Sequence, residues 1–131
     1  MDFNSAIRID STYGRTYYNR GIVYIDNGYY INAIEDFNRA IRFNFNNPNV
    51  YINRGLAFAE LKQYDKAISD YTQALKFDKN QADVYVNRGI VFAQSGKLES
   101  AIKDFQKALK ISPNDEIAKY NLKMAVDALE K

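Results

Sequence analysis

Between Pro48 and Leu61 the apolar residues fall at 51, 52, 56, 58 and 61, which follows one face of a 3.6-residue helix and not the alternation of a strand. After a short turn at Lys62-Gln63 the pattern resumes with Ala67, Ile68, Tyr71, Ala74 and Leu75, and a second helix is predicted over 64–77. So brief a turn leaves the second helix no course but antiparallel to the first. The pair is written again on both sides with no insertion or deletion. Tyr51-Ile52-Asn53-Arg54-Gly55 returns 34 residues later as Tyr85-Val86-Asn87-Arg88-Gly89, and stands 34 residues earlier as Tyr17-Tyr18-Asn19-Arg20-Gly21. First helices are thus predicted over 15–27, 48–61 and 82–95, and second helices over 30–43, 64–77 and 98–111. Asp115 supplies an N-cap for a last helix running to about Glu130. A fixed period of this length marks a solenoid, in which each unit buries its apolar face only by stacking on its neighbours.

With the repeat numbered so that its first glycine takes position 8, position 4 is Tyr17, Tyr51 and Tyr85, and position 8 is Gly21, Gly55 and Gly89. Position 11 is Tyr24, Phe58 and Phe92, and position 24 is Phe37, Tyr71 and Phe105. Alanine fills position 20 (Ala33, Ala67, Ala101) and position 27 (Ala40, Ala74, Ala108). This pattern, over essentially the whole chain, resembles the tetratricopeptide repeat family. The family's proline at position 32 is kept only as Pro113, with Phe45 and Lys79 in the other two copies. The resemblance implies an all-α fold, a right-handed superhelical solenoid of antiparallel helix pairs. One domain is expected: a half repeat 1–13, full repeats 14–47, 48–81 and 82–115, and a C-terminal capping helix 116–131. Residues 2–10 match 36–44 and are therefore expected to form the end of a second helix whose own first helix is missing. Such a start predicts either a piece of a longer protein or another element covering that face.

Composition removes several functions. There is no cysteine and no histidine, so disulfides, thiolate metal sites and the commonest bases, nucleophiles and ligands are absent. The glycines at 21, 55 and 89 are isolated and form no phosphate loop. No catalytic, cofactor-binding or metal-ligating residue is assigned, and the chain is expected not to be an enzyme. A net charge of +2 with both signs interspersed offers no basic block for nucleic acid. No apolar run reaches the ~18 residues of a membrane span, and Met1-Asp2-Phe3-Asn4 lacks the basic start of a signal peptide. A cytoplasmic protein without membrane contact is expected.

What remains is an interaction scaffold. The resemblance implies that the first helices line a concave face through positions 2, 5, 6, 9, 12 and 13. Position 6 is asparagine in every copy, Asn19, Asn53, Asn87 and Asn121, a poor helix residue whose amide both donates and accepts. Positions 5 and 9 are apolar: Tyr18 and Ile22, Ile52 and Leu56, Val86 and Ile90, Tyr120 and Met124. An apolar strip beside a row of amides predicts a groove that holds an extended peptide or partner segment. The charges on that face, Arg15 against Asp26, Glu60, Asp83 and Asp127, have the wrong sign for RNA. They suit an apolar segment carrying Lys or Arg. Some family members grip acidic chaperone tails with Lys at 5, Asn at 9, Asn at 6 of the next repeat, and bases at 2 and 6 of the third. Here those places hold Tyr18, Ile22, Asn53, Asp83 and Asn87, and only Asn53 matches.

Two further expectations are structural. Arginine at position 7 (Arg20, Arg54, Arg88) and aspartate at position 23 (Asp36, Asp70, Asp104, with Asp2 in the leading fragment) predict a ladder of ion pairs. Each arginine is assigned to the aspartate of the preceding repeat: Asp2 for Arg20, Asp36 for Arg54 and Asp70 for Arg88. The ragged ends, with Phe3, Ile7 and Ile9 at one and Ile117, Val126 and Leu129 at the other, predict as an alternative function weak head-to-tail self-association that continues the superhelix.

Overall fold

The computed structural model describes residues 3–131, with side chains from Asp10 onward, so Met1, Asp2 and the side chains of Phe3, Ile7 and Ile9 lie outside the described residues. The described chain is a run of seven helices: α1 Phe3–Asp26, α2 Tyr30–Arg42, α3 Pro48–Glu60, α4 Tyr64–Phe77, α5 Ala82–Gln94, α6 Leu98–Ile111 and α7 Glu116–Glu130. Each packs on its sequence neighbours, most extensively within the pairs α1–α2, α3–α4 and α5–α6, and α1, α3, α5 and α7 also touch in succession. That is the expected solenoid of helix pairs.

One boundary differs from expectation. No break separates residues 3–10 from the first repeat; α1 runs unbroken for 24 residues. The later connectors show why. Pro48 takes the first turn of α3 and Asn47 accepts from the Asn49 amide, while Asp115 caps α7 by accepting from the amides of Ile117 and Ala118. The Asp78 carboxylate turns the chain before α5 by accepting from the Asn80 amide. Asp10-Ser11-Thr12-Tyr13 has no proline, and Thr16 donates its hydroxyl back to the Thr12 carbonyl inside the same helix.

The turns inside the pairs share one construction. Gly28, Lys62 and Gly96 take left-handed backbone at φ 78°, 61° and 84°. The next amide in each case, Tyr29, Gln63 or Lys97, donates to the carbonyl of Tyr24, Phe58 or Phe92 at 2.8 Å, closing the end of the first helix. Position 8 is governed by contact. A Cβ on Gly21 would lie 2.6 Å from the Phe37 ring, and one on Gly89 would lie 2.6 Å from the Phe105 ring. The alanines at 20 and 27 are fully buried, as are Val50, Val84 and Ala118 at position 3, a core row that the aromatic pattern did not announce.

The arginine ladder forms, but not with the expected partners. Arg20 pairs with Asp36, Arg54 with Asp70 and Arg88 with Asp104, each through Nε to one carboxylate oxygen and Nη2 to the other at 2.7–2.8 Å. Every pair therefore lies within its own repeat; the assignment to the preceding repeat is overturned for Arg54 and Arg88. The reason is hairpin geometry. Positions 7 and 23 are equidistant from the turn at 15, about 12 Å along each antiparallel helix, and so face each other. The preceding repeat is still engaged, by a different atom: Arg54 Nη1 donates to Asn38 Oδ1 at 2.8 Å and Arg88 Nη1 to Thr72 Oγ1 at 3.0 Å. Arg20 is half exposed, and its carboxylate takes a further bond from Arg39 at 2.8 Å. The aromatics at 4 and 11 flank each guanidinium, Tyr51 and Phe58 at 5.5 and 5.9 Å from Arg54, Tyr85 and Phe92 both at 5.7 Å from Arg88.

Two outcomes follow from this packing. Alanine is the better helix former, yet Gly89→Ala is expected to lower stability by about 1–3 kcal/mol through overpacking against Phe105, read as a lower urea midpoint; an unchanged or higher midpoint would show that the close approach is slack. Burial pushes the Asp36 carboxyl up, but the hydrogen bonds from Arg20 and Arg39 outweigh it and hold the group below the ordinary carboxylate range. A depressed folded-state pKa contributes stability that is present above the unfolded value and lost as pH falls through the folded one. Wild type is thus expected to lose, below about pH 4, a share of stability that Asp36→Asn lacks at every pH. Parallel pH–stability curves for the two proteins would contradict it.

Candidate functional site

The structure brings together Leu56, Asn87 and Ile90 of the predicted concave residues, and Tyr18 with Asn53; the rest differ in access. Between α3 and α5 lies a cavity of about 280 Å3. Leu56 and Ile90 line it together with Asn87, Ala59 and Tyr64, and with the buried Tyr71 and Val91. Burial, and to a smaller extent the nearby Asp70 and Glu60 carboxylates, push the Tyr71 phenol above its ordinary range, so it stays protonated in the site. Glu60, Lys62 and Gln94 stand at the rim. Lys62 and Gln94 were absent from the expected charge inventory, because Lys62 belongs to the turn and Gln94 is neutral.

The remaining predicted residues divide. Val86 is 5% exposed and belongs to the core, so it offers no contact surface. Ile22 and Ile52 are half-buried, and both pack against core clusters. Tyr18 lies against Phe45 and Phe37, with ring centres at 5.2 and 5.9 Å, and its hydroxyl accepts from Asn53 Nδ2 at 3.4 Å. Burial raises the Tyr18 phenol above its ordinary range, and the Asn53 bond works against that rise. At the far end Tyr120 and Met124 are 65% and 53% exposed, and with Ile117 at 63% they form an open apolar strip on α7.

The asparagine row is present but unequal. Asn53 and Asn121 each donate to the carbonyl four residues back on their own helix, Asn49 at 2.8 Å and Ile117 at 2.9 Å. Each keeps its amide oxygen for a ligand, and Asn121 a second N–H, whereas that of Asn53 is directed to the Tyr18 hydroxyl. Arg15, Asp26, Glu60, Asp83 and Asp127 are all exposed, and Arg15 lies over the Phe45 ring at 5.9 Å. No group of three or more carboxylates that could hold a metal ion occurs among the described residues, and no described helix is long and apolar enough to cross a membrane.

The profile described as "TPR repeat" matches residues 23–62 and 55–96, and that described as "Tetratricopeptide repeat" matches 82–115. The chain belongs to the tetratricopeptide repeat family. Solved tetratricopeptide domains superpose over nearly their full lengths. The Arabidopsis OM64 TPR domain is 26% identical with a TM-score of 0.85, covering 91% of this chain and 98% of that one. The first TPR of Spaghetti (RPAP3), solved with the HSP90 peptide SRMEEVD, is 28% identical with a TM-score of 0.87, covering 92% and 96%. The second TPR domain of human RPAP3, solved with the HSP70 peptide SGPTIEEVD, is 27% identical with a TM-score of 0.80, covering 91% and 97%. No curated protein sequence matches the chain. As a tetratricopeptide domain it is a protein–protein interaction module in general character.

Proposed function

We propose that this chain is a non-catalytic, cytoplasmic scaffold whose concave groove holds an extended segment of another protein, apolar and carrying Lys or Arg. The observation that carries the reading is the cavity between α3 and α5, which Leu56, Ile90 and Asn87 line together. Apolar walls with one convergent amide suit a side chain inserted from a strand whose backbone the amide holds. Two similar domains were solved with bound peptides, which supports a peptide as the ligand class. Those peptides are acidic. Here Tyr18, Ile22 and Asp83 stand where a clamp for acidic tails has Lys, Asn and a base, so the ligand chemistry is read as different. Glu60 at the rim, with Asp26 and Asp83 along the face, selects for a basic residue beside the apolar anchor, each such exposed pair contributing about 0–1 kcal/mol.

The second reading is weak head-to-tail association through the open end of α7. Ile117 and Leu129, 63% and 48% exposed, favour it. Lys123 weighs against it. It occupies the repeat position where Gly21 and Gly89 admit an aromatic ring, and a lysine there blocks a second helix from docking in the same way.

The test is fluorescence anisotropy with an array of labelled peptides. An apolar peptide containing Lys or Arg is expected to bind wild type, and Asn87→Ala/Ile90→Ala to weaken it about tenfold, the scale of one or two buried contacts. Equal affinity for wild type and variant, or displacement of that peptide from the groove by acidic segments, would refute the reading.

A further inference from the structure

A larger cavity, about 550 Å3, opens on the other side of the third repeat and shares no lining residue with the concave groove. Lys103, Lys107 and Lys110 line it from α6, together with Ser100 and Gln106 of the same helix and Phe92 of α5. The lysines stand at i, i+4 and i+7, a single stripe opposite the buried Ala101, Phe105 and Ala108. Like charges at this spacing repel one another and weaken the helix. That repulsion is offset only in part, by the place of Lys110 in the last turn and by Glu99 four residues before Lys103. No ion pair engages any of the three among the described residues, and only Lys107 has a partner, the Tyr85 ring at 5.6 Å. The stripe belongs to this repeat alone: the same positions hold Glu35, Arg39 and Arg42 on α2, and Ser69, Gln73 and Lys76 on α4.

The end of the arginine ladder opens the site. In the first two repeats the side chain at position 25 accepts a bond from the next arginine, Asn38 from Arg54 and Thr72 from Arg88. The equivalent residue in the third repeat is Gln106, and the arginine that would reach it is replaced by Leu122. Gln106 therefore keeps its amide for the cavity it lines. The one carboxylate in the lining, Asp104, has both oxygens bound by Arg88. The groups left to meet a ligand are three ammonium ions, a hydroxyl and an amide, donors to oxyanions.

We propose that this cavity docks an acidic peptide segment, at a site separate from the groove. Lysines ~6 and ~4.5 Å apart along the helix axis fall short of the ~6.6 Å repeat of carboxylates on alternate residues of an extended chain, by ~2 Å at most, which flexible lysine stems span. The fork of Arg88, the group suited to a concentrated phosphate dianion, is already consumed by Asp104, and point charges spread along a helix suit separate single charges better. Nucleic acid would need the positive stripe to continue, and α4 at the same positions carries Ser69 and Gln73.

The experiment uses the full chain and a fluorescein-labelled peptide alternating Glu with Ser, with its Gln/Ser counterpart as control. The Glu/Ser peptide is expected to bind about tenfold more tightly than the control, and Lys103→Gln/Lys107→Gln/Lys110→Gln to abolish that difference. The three lysines are exposed, so the variant folds, and a Lys→Arg triple is expected to keep the preference. Backbone amide shifts on titration should fall on α6 and around Phe92. Equal binding of the two peptides, binding that survives the Gln triple, or shifts confined to the concave helices would overturn the proposal. Displacement of the peptide by inorganic phosphate or a single-stranded oligonucleotide at lower concentration than by unlabelled peptide would also overturn it, in favour of a phosphate site.

Discussion

Both oxygens of a buried carboxylate are bound by one guanidinium in every full repeat, and the rest of the architecture is set around that pair. Asp36, Asp70 and Asp104 are at most 4% exposed. An ion so placed is costly unless its partner is held in good geometry, and losing the partner costs far more than the pair itself contributes. The fork fixes the rotation of the second helix on the first, and the same rotation brings the aromatic ring at position 24 onto the glycine at position 8. The third nitrogen of Arg54 and Arg88 reaches back to the preceding repeat, so one side chain sets both the hairpin and the step between hairpins. No buried side-chain polar atom among the described residues is left without a partner.

The two faces of the solenoid inherit their chemistry from this arrangement. With the arginines drawn toward the aspartates, the concave side is left with asparagine amides, aliphatic side chains and a scatter of carboxylates. Where the ladder stops at Arg88, Gln106 is left without an arginine, in a cavity that three lysines also line. On the proposed readings the molecule carries an apolar, mildly acidic groove and a separate basic cavity, a division that a net charge of +2 conceals.

Much of the fold was legible because each repeat states it again: six of seven helices lie within a residue or so of the bounds read from apolar spacing. The start of α1 was misread because similarity to 36–44 carried no information about the connector, where a missing proline lets the helix run on. Pairing of the ladder could have been read from the equal distance of positions 7 and 23 from the turn. It was assigned by repeat order instead, and repeat order says nothing about which helix faces which. At the groove, residues were assigned by repeat position, and position alone does not separate Val86, which lies in the core, from Ile90, which lines the cavity. The outer cavity was invisible in the sequence, since the repulsion of three lysines matters only once Asp104, the carboxylate beside them, is seen to be taken by Arg88.

The ladder's pairing is tested most directly by a double-mutant cycle on Arg54 and Asp70, with Arg54→Met and Asp70→Leu measured singly and together by urea unfolding. Each single change is expected to cost about 3–5 kcal/mol by stranding its partner, and the double change distinctly less than the sum. The parallel cycle between Arg54 and Asp36 should show coupling close to zero. Additive costs for Arg54 and Asp70, or strong coupling of Arg54 to Asp36, would contradict the account.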